Sequence, residues 1–402
     1  MRDRAARPID VDRARRETPG CAGVLHLNNA GASLQPLPVI DAVNRYLERE
    51  IAIGGYEAER DAAAELAHAY EAAASLLGGA SDEIAFLESA SRAWAMAFYA
   101  LPFRRGDRIL TAVAEYASNY IAYLQVAERT GVSVEVVPND ESGALSTDAL
   151  AAMMDDRVKL VSVTHMPTNG GLVNPAVAIG RITREHGCLY LLDACQTVGQ
   201  MPVDVGVIGC DLLTTTGRKY LRGPRGTGLL WVRRELIGQL EPTMLDLHSA
   251  IWSEREAFTI RADARRFEMW EANYAAKVGL GAALDYAASW TPEAIWERVR
   301  ALADRLRDGL TGIGATITDT GDVRGGIVTF TLDGVEPAAL RDAMTPLGVN
   351  IWTSSRPHTR IDMEQRGLTE IVRASVHYYN TEAEIDRFCE LVAGTAPRLR
   401  RP

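Results

Sequence analysis

From about residue 105 to 235 short apolar runs alternate with stretches of helical spacing. The runs are RILTAVA (108–114), VSVEVVP (132–138), VKLVSVTHM (158–166), CLYLLDA (188–194), DLLTTT (211–216) and GTGLLWVR (226–233). Between them lie helix-length segments at 117–130, 146–156 and 174–187. Strand–helix–strand repetition of this kind predicts an α/β fold with a mostly parallel central sheet covered on both faces. Ligands of such sheets sit at the carboxyl ends of the strands.

The later half follows another pattern. Residues 272–313 are rich in Ala, Leu and Arg at helical spacing, whereas GGIVTFTL (325–332) and IVRASVHYY (371–379) alternate like half-exposed strands. This predicts a smaller α+β domain. The division expected is a large domain over 50–260, with 1–49 and 261–402 supplying an N-terminal segment and the small domain. No internal repeat or low-complexity segment is present.

Composition narrows the classes. A chain of 402 residues can hold two cores, and 47% hydrophobic with 24% charged residues is ordinary for a globular protein. A net charge of −10 argues against a nucleic-acid-binding surface. No run of 18 apolar residues suggests a membrane span. The first twenty residues are charged and lack the apolar segment of a secretory signal; they are expected to be disordered or to order over the site. The five cysteines (21, 188, 195, 210, 389) are odd in number and lack CxxC spacing. Reduced thiols in the cytoplasm fit this best, with no disulfide framework and no metal site.

Lysine is rare. Of 43 Lys and Arg, only positions 159, 219 and 277 are Lys. Guanidinium stays charged, but a buried amine can lose its proton and attack a carbonyl. Lys219, in TTTGRKYLRGPRGTG (214–228), is therefore a candidate nucleophile. Other strand ends also carry polar groups. Asp193 ends an apolar strand, where it is either a helix cap or the partner of a cation such as a protonated pyridine nitrogen. Ser89, Ala90 and Ser91 open an apolar helix, and small residues there admit an anion to the backbone amides. Tyr116 can stack on a flat ring or fill core. His165, Thr168 and Asn169 can bond a ligand or close a turn. Thr216 and Arg218 can hold phosphate oxygens. An amine, an acid for a ring nitrogen, a stacking ring and a phosphate cup together describe a site for pyridoxal 5′-phosphate.

With these residues the chain resembles the class V aminotransferase group, including the cysteine desulfurases, of fold type I pyridoxal-phosphate enzymes. The resemblance runs from LNNAGAS (27–33) to VRASVHYYNTEAEIDRF (372–388) and is most specific in DACQ (193–196), TGRKYLRGPRGTG (216–228) and RASVHYYNT (373–381). It implies that Lys219 holds the cofactor as a Schiff base and then abstracts the substrate's α-proton. It implies Asp193 on the pyridine nitrogen, Gln196 on the phenolic oxygen, and Tyr116 where the desulfurases usually stack a His. Ala90, Ser91, Thr216 and Arg218 would hold the phosphate, Arg218 standing for a common His. His165 would seat the ring, with Thr168 or Asn169 near its oxygen. Arg373 would clamp the substrate carboxylate, and Asn28 and Asn29 would approach the substrate. A homodimer is also implied.

Two departures shape the expected reaction. The desulfurases carry a persulfide-forming Cys on a mobile loop, but NIWTSSRPHTRIDMEQRGL (350–368) has none. In RRFEMWEAN (265–273), Trp270 and Glu271 replace a Gly-Thr pair whose Thr reaches the neighbouring subunit's phosphate. Trp270, Ser354 and Arg356 become candidate substrate contacts. The expectation is thus a lyase cleaving a C–S bond of a cysteine-derived amino acid by β-elimination, not a persulfide-forming desulfurase. An aminotransferase or epimerase is the alternative, and a non-catalytic relative that binds cofactor is a third reading.

Overall fold

The computed structural model describes residues 8–400. Its larger sheet has seven strands: β1 (Ile84–Leu87), β2 (Arg108–Ala112), β3 (Ser133–Val137), β4 (Val158–Thr164), β5 (Leu189–Asp193), β6 (Leu212–Thr216) and β7 (Gly228–Val232). They lie in the order β1-β7-β6-β5-β4-β2-β3, and only the pairings of β7 are antiparallel. All six strands read from the apolar runs are present. β1 was missed because its four residues are too short a run to stand out.

Alternation of side chains builds the two faces. Leu110, Val161, Leu192 and Leu213 enter one core, and their neighbours Ile109, Leu160, Leu191 and Leu212 enter the other. Burial on both sides explains why these strands read as continuous apolar runs rather than as alternating ones. The helices Ala117–Thr130, Thr147–Met153 and Ala176–Glu185 make the crossovers, with β3 left as the partly exposed edge.

The second sheet is antiparallel, of four strands: β8 (Thr316–Ile317), β9 (Ile327–Thr331), β10 (Trp352–Ser355) and β11 (Glu370–Ser375), in the order β8-β9-β11-β10. Val328, Phe330, Val372 and Ala374 pack with Leu306 and Phe388 of the covering helices Pro292–Gly312 and Glu382–Leu399. The helical stretch 272–313 is two helices, broken at Thr291 (φ 64°) before Pro292. The strand expected over 371–379 stops at Ser375. Its amide there turns to Leu27 O (2.9 Å is typical; here 2.7 Å), and His377 to Asn380 close a buried turn.

The N-terminal segment joins the two layers. Leu25–His26 pairs in parallel with Val349–Asn350, and Asn28 bridges Ser375. Residues 1–7 lie outside the described residues, but 11–16 of the charged stretch are helical, with Asp10 as cap. Arg15 ties that helix to Glu384 (2.8 Å) and to Tyr379 O, so this part orders against the C-terminal helix. No helix among the described residues is long and apolar enough to cross a membrane.

Arg222 fastens the layers. It is 1% exposed and sits in the left-handed region (φ 61°). Its guanidinium donates to Leu34 O (2.9 Å), Tyr378 Oη (2.7 Å) and Thr18 Oγ1, and the rings of Tyr286, Tyr378 and Tyr379 lie 4.5–5.5 Å from it. Arg222→Met fills similar space but strands three acceptors, so we expect a loss of about 3 kcal/mol. The urea midpoint of the variant measures it; a loss below about 1 kcal/mol would mean that water takes over those bonds.

Candidate active site

β4, β5 and β6 end side by side, with Thr164 opposite Asp193 and Asp193 opposite Thr214. The loops beyond these ends enclose a pocket of about 590 Å³, counting its solvent-open mouth. Of the residues singled out from sequence, Ala90, Ser91, Tyr116, Thr168, Asp193, Gln196, Thr216, Arg218 and Lys219 line it. Asn119, Thr164, Met166 and Cys195 line it as well. Cys195 was visible inside DACQ. Asn119 had only its spacing, one helical turn past Glu115, as a signal.

The pocket's anion end is the start of the helix Ala90–Tyr99. Ser89 caps it, its hydroxyl accepting from Arg92 N (3.1 Å), which leaves the first amides directed outward. Gly228 of β7 passes beneath this turn. A Cβ there would lie 2.2 Å from the Ser89 carbonyl carbon, so only glycine permits the approach. Arg218, from the loop after β6, donates to Gly31 O and stands beside this end. Small residues, free amides and a cation fit a phosphate.

Lys219 lines the pocket, and its amine has no hydrogen-bond partner among the described residues. Burial lowers its pKa below the usual lysine range; the Cys195 side acts against this and Arg218 with it. Asp193 is 5% exposed, with Oδ1 accepting from Cys195 N (3.0 Å) and Oδ2 from Asn119 Nδ2 (3.0 Å). No cation pairs with it among the described residues, which leaves room for a protonated ring nitrogen. Gln196 Oε1 is buried without a partner, while its amide donates to Ala30 O (3.1 Å). An amine, an unpaired buried carboxylate, an orphaned amide oxygen and an anion cup fit pyridoxal phosphate.

Arg373 of β11 approaches from the small sheet. It is 6% exposed, donates to Thr168 Oγ1 (2.6 Å) and Thr168 O (3.1 Å), and reaches Asn28 Oδ1 at 3.4 Å. Its Nε is buried without a partner, and burial lowers its pKa to about 10. A guanidinium held by neutral groups has its charge available for a carboxylate.

Other expected residues stand elsewhere. Asn29 is fully buried and binds Ser375 O (2.7 Å) and Tyr379 Oη, so it holds the N-terminal segment in place. Asn169 donates to Asp362 (2.6 Å), away from the pocket. His165 lies behind the wall, its Nδ1 on Thr197 Oγ1 (3.1 Å). Ser354 is buried on β10 with its hydroxyl unpartnered, and Arg356 is tied to Leu368 O (3.1 Å). Trp270 is 48% exposed and lines a different groove, with Tyr56 and Arg92. Sequence adjacency suggested these positions; the pleat and the loop turns direct their side chains away.

Burial lowers the His165 pKa to about 4. Between pH 4 and its ordinary 6.5 the unfolded chain binds a proton that the folded chain refuses. Stability is therefore full above pH 6.5 and falls as pH drops toward 4, by up to about 3 kcal/mol. His377, also lowered by burial, adds with the same sign. Urea midpoints at pH 7 and 4.5 check this, and His165→Gln is expected to flatten the dependence.

The model of the family Aminotransferase class-V matches residues 25–388. A probable cysteine desulfurase of Methanothermobacter thermautotrophicus is 33% identical over 380 residues, spanning 92% of this chain and 94% of that one. Among solved structures, the apo cysteine desulfurase of Thermococcus onnurineus NA1 superposes with a TM-score of 0.90 at 24% identity, over 96% of this chain and 98% of that one. A C-DES variant with glycine covalently linked to its PLP cofactor gives 0.84 at 22% identity, over 94% and 98%. At these identities the two structures speak for the fold. The relatives overturn the expectation of a β-eliminating lyase that is not a desulfurase, because whole-length relatives bear the name cysteine desulfurase. The loop 350–368 is not decisive, because a thiol that takes up sulfur need not belong to it. The chain belongs to the class-V aminotransferase family of enzymes and has the type I fold of the pyridoxal-phosphate-dependent transferases.

Proposed function

We propose that this enzyme is a cysteine desulfurase with pyridoxal phosphate as its cofactor. One observation carries the reading: a single pocket joins the unpartnered amine of Lys219, a buried carboxylate without a cation and Thr168, on which the buried Arg373 guanidinium is seated. The name of the 33% identical relative supports cysteine as the substrate.

When bound, the cofactor supplies an electron sink for charge at the substrate's α-carbon. Asp193 would face its ring nitrogen and favour the protonated form. Ala90 and Ser91 amides, Thr216 and Arg218 would hold its phosphate, Gln196 its phenolic oxygen, and Tyr116 would stack on the ring. Arg373, steadied by Thr168 and Asn28, takes the substrate carboxylate. Lys219, whose pKa burial lowers, removes the α-proton and returns protons later. An attacking thiol takes the substrate sulfur as its C–S bond breaks, so cysteine and R–SH become alanine and R–S–SH.

The attacking thiol comes from outside the chain. Of the cysteines, Cys195 alone lines the pocket. Burial, then the nearby Asp193 charge, raises its pKa well above the ordinary thiol range, which keeps it protonated and a poor nucleophile. The other four stand away from the pocket, and the loop 350–368 has none.

The wider setting belongs to the same proposal. The unit of residues 50–260 forms the cofactor-binding domain, with 1–49 and 261–402 closing over it. The enzyme is a homodimer, for which the exposed Ile51, Tyr56, Leu247, Trp252 and Phe258 supply apolar surface. It acts in the cytoplasm, consistent with five free thiols.

With cysteine and dithiothreitol as the thiol, alanine is expected to form one-for-one with sulfide released from the dithiothreitol persulfide. Pyruvate and ammonia in place of alanine would sink the proposal. Lys219→Ala is expected to lower turnover by about 10³-fold or more. Arg373→Lys loses the planar fork and should raise KM by about tenfold with a smaller effect on kcat.

A further inference from the structure

Behind Asp193 lies a second carboxylate that the reaction above does not use. Glu115 is 3% exposed and has no cationic partner among the described residues. A bare carboxylate in such a place is costly unless hydrogen bonds replace its water. Five donors do so. Thr111 Oγ1 (3.1 Å) and Thr164 N (3.0 Å) reach Oε2, while Tyr116 N (2.9 Å), Asn119 Nδ2 (2.9 Å) and Thr164 Oγ1 reach Oε1. Every contact is a donor, so the surroundings suit the ionised form.

Asn119 links the two acids. Its Nδ2 lies 2.9 Å from Glu115 Oε1 and 3.0 Å from Asp193 Oδ2, one N–H for each. A flipped amide would set its oxygen against both carboxylates, so the orientation is dictated from both sides. The other oxygen of Asp193 is held by Cys195 N. Tyr116, whose own amide is one of the Glu115 donors, also lines the pocket, so the same carboxylate sets the loop that carries it.

We propose that Glu115, acting through Asn119, is a positioning residue: it locks the rotamer of Asp193 and adds its negative charge to the field that keeps the cofactor's ring nitrogen protonated. This rests on the reading that Asp193 faces that nitrogen. The titratable groups facing Glu115 are Asp193 on β5 and Tyr123 on the helix Ala117–Thr130, which follows it, the latter bonded to Ser162 of β4; Thr111 on β2 and Thr164 on β4 are neutral. Burial raises the Glu115 pKa to about 7, against the pull of Thr164 and Asn119. Its charge thus becomes complete on the alkaline side of neutrality.

The experiment is a pH titration of the visible absorbance of the cofactor-loaded enzyme, with steady-state kinetics on cysteine, for wild type, Glu115→Gln, Asn119→Ser and Asp193→Asn. Removing the Glu115 charge is expected to move the titration midpoint down by about one unit and lower kcat by about tenfold. KM should stay within about threefold, since Arg373 is untouched. Asn119→Ser keeps four of the five Glu115 donors and should shift the same way, which covers a Gln variant that does not fold. If Asp193→Asn changes the band while Glu115→Gln and Asn119→Ser leave midpoint and kcat within about twofold of wild type, the proposal falls and the reading of Asp193 stands. A loaded wild type without a visible band overturns both.

Discussion

The site depends on holding the Asp193 carboxylate in a buried place without a protein cation among the described residues. Asp193 is the last residue of β5, where the sheet is buried on both faces; β4 ends level with it at Thr164, and β6 ends two residues further on at Thr216. Each of its oxygens accepts one neutral donor, from Cys195 N and Asn119. Those donors steady the charge but do not neutralise it. The same surroundings depress the Lys219 amine and leave Gln196 Oε1 and Arg373 Nε unpartnered. Each of these groups is costly in the folded chain alone, and each is suited to one part of a phosphorylated pyridine or of its amino-acid substrate.

Holding such groups in register needs a stiff frame. The N-terminal segment runs between the two sheets, pairing with Val349–Asn350 and bridging Ser375. Asn29 closes it against Ser375 and Tyr379, and Arg222 ties the loop after Lys219 to Leu34 and Tyr378. Arg373 from one sheet, through Thr168, and Lys219 from the other therefore meet at one pocket across a packed seam, not a loose hinge. Polar groups without partners persist only where the surroundings over-determine them.

Much of this was legible along the chain. A strand buried on both faces reads as an unbroken apolar run, so six strands of the large sheet stood out, and the ligand edge with them. Lys219 stood out against an arginine-rich background, and Asp193 against the apolar run that it ends. The reaction was harder to read. The missing cysteine in 350–368 pointed away from a desulfurase, but whether a thiol reaches a substrate from outside is a property of access, which a single loop does not encode. Ser354, Arg356, Trp270 and Asn169 lie in the right segments, yet their side chains serve β10, the Leu368 turn, a separate groove and Asp362.

The sequence by itself determined the layered α/β plan and singled out Lys219, Asp193 and the start of the helix at Ala90, because each depends on local residue types at one strand or helix end. Only the tertiary structure decided what surrounds them. Glu115 and Asn119 look like an ordinary acid and amide at the start of a helix. They become part of the site because β2, β4 and β5 bring Thr111, Thr164 and Asp193 around them. Arg373 and Asn28 meet across 345 residues of chain. Hydrogen bonds act over about 3 Å in space and carry no trace of that separation in the sequence.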